Sequence, residues 1–194
     1  MTNSLSLAVE KTADTINKIL KEKGTVRIAI DGRCGSGKST LAEMLSKEFE
    51  CSLFHMDDFY LTLEKRSQER LSEPGGNVDR ERFLEEVLLP ATKGEPVFYR
   101  AYDCKTQAFK DSVKMKPQKV IITEGSYACH PELFDFYDLH IFLSVSSVTQ
   151  MQRITDRNGK ESAEIFRSKW IPLEEKYFAF FDVENKCERV FLND

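Results

Sequence analysis

Nine consecutive residues, Gly32-Arg33-Cys34-Gly35-Ser36-Gly37-Lys38-Ser39-Thr40, put four residues between two glycines and then a lysine and two hydroxyls. That pattern suits the cradling of phosphate. Glycines let the backbone come close, and successive N–H groups from Cys34 to Thr40 converge where a helix amino end is positive. Lys38 is expected to neutralise the outer phosphates of ATP or GTP, and the Ser39 hydroxyl to bind Mg²⁺.

Two further points carry acids that could act with this loop: Asp57-Asp58, after the apolar run Cys51 to His55, and Glu124, after Val120 to Thr123. A carboxylate can organise Mg²⁺ and its waters, and another can accept the proton of an attacking hydroxyl. One acid could serve both purposes. Acids at strand ends also simply face water, but two of them following a phosphate loop argue for chemistry.

These residues require a frame that brings strand ends together. Apolar, β-branched runs at Val26 to Ile30, Cys51 to His55, Val120 to Thr123 and Leu139 to Leu143 alternate with helical patterns. The order predicts an α/β fold: a mostly parallel central sheet covered by helices on both faces, a three-layer sandwich with ligands outside the carboxyl ends of the strands. Helices are expected at Thr40 to Phe49, Arg80 to Leu89 and Val148 to Phe181, and an amphipathic one at Met1 to Glu22. The stretch Glu64 to Asp79, broken by Pro74-Gly75-Gly76, is expected to be a mobile surface segment, and Ala101 to Lys119 an irregular one.

The whole chain reads as one domain. Its 194 residues, 41% hydrophobic and 31% charged, are those of a folded globular protein. A net charge of −4 with no basic stripe argues against a nucleic-acid partner, and no apolar run approaches the length needed to span a bilayer. The amino end lacks the pattern of a leader, and five cysteines without close pairing or zinc-type spacing read as free thiols of a cytoplasmic protein. Cys34 is expected simply to fit its loop. Nothing compels an interface, and a homo-oligomer is left open.

Taken in order, Gly32 to Thr40, His55-Met56-Asp57-Asp58-Phe59-Tyr60, Asn77-Val78-Asp79-Arg80, Tyr102-Asp103 and Glu124-Gly125 resemble the uridine kinase and phosphoribulokinase family of P-loop small-molecule kinases. The resemblance runs from Val26 to Phe181. It implies a P-loop NTPase fold with a helical lid at 150–170, Asp57 as base for an acceptor hydroxyl, and Glu124 with Ser39 and Asp57 around Mg²⁺. It further implies Asp79, Tyr60 and Tyr102 at the acceptor, with Arg153 and Arg157 of the lid over the phosphates. Those arginines, four apart, share one helix face and could clamp a transferring phosphoryl group. The implied reaction is γ-phosphoryl transfer to a nucleoside-like alcohol, with pantothenate, nicotinamide riboside or another alcohol as alternatives, and a regulatory NTPase as the reading from another class. After Tyr102-Asp103 this chain has Cys104-Lys105-Thr106-Gln107, without the His that uridine kinases have there. Lys169 to Phe178 also departs from them. Trp170 and Tyr177, seven apart, read as a packing stripe rather than an acceptor wall.

Overall fold

The structure is a computed structural model describing residues 4–194. In chain order its elements are α1 (Ser4–Lys23), β1 (Val26–Gly32), α2 (Lys38–Glu48), β2 (Cys51–His55), α3 (Gln68–Ser72), α4 (Arg80–Phe83), α5 (Leu89–Lys93), β3 (Val97–Asp103) and β4 (Ala108–Met115). There follow β5 (Val120–Glu124), α6 (Pro131–Phe134), β6 (Leu139–Ser144), α7 (Ser147–Asn158), α8 (Lys160–Ile165), α9 (Ile171–Phe181), α10 (Val183–Lys186) and β7 (Arg189–Leu192). Single π-turns, Leu84–Leu88 and Phe166–Trp170, join α4 to α5 and α8 to α9.

Five strands form one parallel sheet in the order β2-β5-β1-β6-β7. The strand period of two sorts side chains to opposite faces. Ile28 and Ile30 of β1 join Leu41, Leu45, Ile122 and Ile141 under α1 and α2, while Ala29 between them joins Phe54, Phe59, Phe83, Phe142 and Tyr177 under the other layer. Each fully buried Leu, Ile or Phe contributes about 1.5–3 kcal/mol, so the two cores together hold the sheet between its helices. The three-layer architecture is therefore as expected. Among the described residues, no helix is long and apolar enough to cross a membrane.

Register brings the chemistry to one edge. Ile30 and His55 both pair with Glu124, so β2 and β5 end level with one another and β1 runs two residues further. Immediately beyond, β1 closes on Gly32, whose φ of 135° and position against the Leu143 carbonyl admit no side chain. The chain must turn into the phosphate loop there.

Several expectations are corrected. The amino-terminal helix begins no later than Ser4 and extends to Lys23, with Met1 to Asn3 lying outside the described residues. Glu64 to Asp79 is anchored rather than loose: Gly75 and Gly76 are buried, and Arg70 donates to the Gly76 and Val78 carbonyls at 3.1 and 3.0 Å while pairing with Glu81. Ala101 to Lys119 is not irregular, since it holds most of an antiparallel ribbon in which β3 pairs with β4. The carboxyl-terminal helical stretch breaks at Gly159 and is followed by β7, an unexpected fifth strand.

Candidate active site

The phosphate loop runs from Gly32 to the first turn of α2. Gly37, in the left-handed region at φ 99°, precedes that helix and provides no side-chain cap, which leaves the first-turn amides free to meet an anion. Lys38 folds back over its own loop, its ammonium donating to the carbonyls of Gly32 at 2.6 Å and Arg33 at 3.1 Å. Ser36 is buried with its hydroxyl unpartnered. Donors of this kind suit phosphate oxygens.

Opposite the loop, Glu124 at the end of β5 collects two groups. Its carboxylate accepts from the Ser39 hydroxyl, 3.2 Å to each oxygen, and meets His55 Nδ1 at 2.6 Å. The bond to Glu124 raises the His55 pKa, burial opposing it. Ser39 and Glu124 thus present hard oxygen donors side by side, the chemistry that suits Mg²⁺. Asp57, exposed on the short turn after β2, accepts from the Tyr60 hydroxyl at 3.0 Å. Its neighbour Asp58 instead turns to Tyr99, at 3.4 Å, and burial raises its carboxyl.

A cavity of about 460 Å³ joins these parts. Cys34, Gly35, Gly37, Lys38, Ser39 and Thr40 form its floor; Asp57, Tyr60 and Glu124 one wall; and Arg153, Arg157 and Phe166 the opposite one. Arg153 donates to the Gly35 carbonyl at 3.2 Å and to the Asn193 carbonyl at 2.8 Å, tying the lid segment to the loop. Among the described residues Arg157 bonds only its neighbour Asn158, at 2.8 Å, and its guanidinium lies over Phe166.

Of the three residues expected at the acceptor, Tyr60 and Asp79 lie on neighbouring chain, joined by the Tyr60–Val78 bridge and the Asp79 amide bond to the Phe59 carbonyl. Tyr60 lines the cavity, but Asp79 and Tyr102 do not. Asp79 is 1% exposed, accepts from Arg82 N at the start of α4, and is paired with Lys65 at 2.8 Å. Tyr102 is buried edge-on against Phe109 on the ribbon. A second cavity of about 810 Å³ opens on the far side of Tyr60, which lines both, and Trp170 belongs to its wall. Trp170 is half-buried and lines this cavity, while Tyr177 is core as expected.

Sequence reasoning missed two carboxylates that organise the loop. Glu174 of α9 is buried and bridges it: one oxygen accepts the Cys34 amide at 3.0 Å, the other the Ser126 hydroxyl at 2.6 Å. A loop amide therefore already holds an anion. Burial, with Glu174 adding to it, pushes the Cys34 thiol well up, so it is no reactive thiolate. Asp31 lies wholly buried under the loop and accepts from Gly32 N, Tyr127 N, Cys129 N and the Tyr177 hydroxyl at 2.7 to 3.2 Å. Burial pushes its carboxyl up to about 6, against the pull of those donors and of Lys38. It clamps three segments at the mouth of the site. An acid directly before the first glycine was the only sequence signal for it; Glu174 had none.

Comparison with known proteins agrees with this arrangement. The Phosphoribulokinase / Uridine kinase family matches over residues 27–168. A uridine kinase of Staphylococcus aureus (strain JH9) is 27% identical over 149 residues, covering 72% of this chain and 71% of that protein. Among solved structures, a possible uridine kinase from Bacillus stearothermophilus superposes with TM-score 0.64 at 21% identity, over 93% of this chain and 99% of the other. A proposed fructose transport system kinase from Silicibacter sp. TM1040 does so with TM-score 0.62 at 19% identity, over 86% and 89%. These likenesses show the fold, and the match across most of the sequence shows the kinship: the chain belongs to the phosphoribulokinase and uridine kinase family of P-loop kinases.

Proposed function

We propose that this protein transfers the γ-phosphoryl group of MgATP to a hydroxyl of a small acceptor that reaches the phosphate cavity past Tyr60. The observation that carries the reading is the place of Asp57, an exposed carboxylate on the wall shared with Lys38, Ser39 and Glu124, beside the residue at which the second cavity opens. The nucleotide supplies the phosphoryl group, and its metal draws charge off the phosphates.

The chain's own residues account for the rest. Loop amides and Lys38 bind and orient the phosphates, with Ser39 and Glu124 as oxygen donors toward the metal. Asp57, its carboxylate oriented by the Tyr60 hydroxyl, takes the proton of the acceptor hydroxyl as that oxygen attacks in line. Arg153 and Arg157 meet the charge on the transferring group from the lid side. GTP would fit the same loop, because every contact named so far is to phosphate.

A nucleoside acceptor is supported by the name of the staphylococcal relatives. A different small alcohol is favoured by the engagement of Asp79 with Lys65, which leaves that carboxylate occupied rather than open to a sugar diol. The test is ADP release from MgATP with and without nucleosides, vitamin precursors and sugar phosphates, in the native protein and in Asp57→Asn. Stimulation by one acceptor, lost by about 10²–10⁴-fold in the variant while MgATP binding persists, is the expected result. Release that ignores every acceptor, or is equal in the variant, refutes the role of Asp57 and favours a regulatory NTPase.

A further inference from the structure

The cavity beyond Tyr60 has an unusual charge pattern. Arg66, Lys169 and Lys176 line it, and no Asp or Glu does. In a chain with 32 acidic and 28 basic residues, a surface hollow would ordinarily carry both signs. Nearby cations are in fact paired with carboxylates: Lys65 with Asp79, Arg70 with Glu81, Arg80 with Glu132, Arg82 with Glu86. The three that face the cavity are not.

Arg66 donates from Nε to the Leu61 carbonyl at 3.0 Å and from one terminal nitrogen to the Cys104 sulfur at 3.4 Å, a weak acceptor. Lys176 donates to the Ser72 carbonyl at 2.7 Å, and Lys169 rests its ammonium 4.6 Å from the Trp170 ring centre. No carboxylate partners any of them among the described residues. Lys169, Trp170, Leu173 and Lys176 fall at i, i+1, i+4 and i+7, on one face of the helix that continues into α9. An apolar floor thus carries cations at its rim.

We infer that the acceptor is an anionic alcohol: its hydroxyl lies at Tyr60 and Asp57, its apolar middle lies on Trp170 and Leu173, and its carboxylate or phosphate is held by Arg66, Lys169 and Lys176. The inference rests on the kinase reading only in naming the occupant as acceptor; the preference for an anion stands on the cavity itself. An uncharged diol needs acceptors for its hydroxyl protons, and this wall offers only the Tyr60 and Ser168 hydroxyls and the Asn77 amide, with no carboxylate, against three cationic donors. A concave site with cations of one sign focuses potential on an anion, and charge-assisted bonds from Arg and Lys are roughly twice as strong as neutral ones.

Trp170 is the chain's single tryptophan, so its emission reports this cavity alone. The test titrates the native protein, at constant ionic strength, with matched pairs that differ in charge: pantothenate against pantothenol, ribose 5-phosphate against ribose, and uridine as a neutral nucleoside. The carboxylate and phosphate arms distinguish the two kinds of anion. The expected result is saturable change in emission with a Kd at least ~10-fold lower for the charged member of one pair, shrinking to less than ~3-fold in Lys169→Ala/Lys176→Ala. Equal or tighter binding of the neutral members or of uridine overturns the inference, as does silence toward every charged member or a preference that the double variant retains. ADP release measured beside these titrations separates the two readings. An anion that binds while no compound stimulates release sinks the kinase reading and leaves this one standing; release stimulated by uridine alone does the reverse.

Discussion

Glu174 occupies the Cys34 amide of the phosphate loop, and Glu174→Gln tests whether it competes with a nucleotide phosphate. Its carboxylate accepts from the Cys34 amide at 3.0 Å and from the Ser126 hydroxyl at 2.6 Å, both on the wall of the phosphate cavity. Hydrogen bonds to a charged group contribute about 1.5–3 kcal/mol, and neutral ones about 0.5–1.5 kcal/mol. Glutamine keeps the shape and both contacts, because its amide oxygen can accept from Cys34 N–H while the Ser126 hydroxyl rotates to accept from its nitrogen. The cost of releasing the loop amide therefore falls by about 1 kcal/mol, and repulsion between carboxylate and phosphate disappears with it. Calorimetric titration should show MgATP binding tightened by about 5- to 10-fold in the variant. AMP, which brings no outer phosphates to the loop, should bind both proteins alike. If MgATP binds the variant equally or more weakly, Glu174 does not oppose the nucleotide and instead holds the loop in its binding form.

Gly32→Ala should destabilise the fold by more than ~3 kcal/mol, since its side chain would overlap the Leu143 carbonyl at a φ that L residues rarely adopt; urea unfolding at native stability would contradict this. Asp31 gives a pH signature. With its folded pKa raised from 3.8 to about 6, the native state holds a proton that the unfolded chain has released, so stability falls as pH rises from about 4 to about 6 and is then level. The fall attributable to Asp31 is roughly 3 kcal/mol, and the difference between native and Asp31→Asn profiles in urea isolates it. Equal slopes in the two proteins would refute the buried-acid account. Arg153→Ala, which removes the tether from the lid to the Gly35 carbonyl, should lower kcat by about 10²–10³-fold in the acceptor-stimulated assay, and an unchanged rate would take the arginine out of the site.

The phosphate loop was legible because everything it needs is local: a buried strand, glycines at fixed spacing, a lysine and a hydroxyl opening a helix. Glu124 was legible for the same reason, as an acid at the end of a continuous apolar run. The ribbon of β3 and β4 was not. The eight residues of β4 are exposed or half-buried throughout, so no face of that strand carries the apolar alternation by which strands are recognised. The segment from Glu64 to Asp79 looked loose because its Pro-Gly-Gly break is a local signal, whereas what fixes it is Arg70 reaching back to carbonyls beyond the break.

The same distinction explains why the nucleotide half of the site can be read from the sequence and the acceptor half cannot. The loop that holds phosphate is one short piece of chain, answering to a ligand that does not vary. The cavity proposed for the acceptor is assembled from Tyr60 and Arg66 on one side and Lys169, Trp170 and Lys176 on the other, some hundred residues apart, and nothing in either stretch alone refers to the other. Glu174 belongs to that second stretch too, yet its partner is Cys34. One helix, α9, therefore touches both cavities, with Glu174 on the phosphate loop and Leu173 and Lys176 on the cavity beyond Tyr60. A phosphate that displaces Glu174 must be felt by its neighbours on the same turn, so nucleotide and acceptor should bind interdependently, each altering the other's affinity by the same factor.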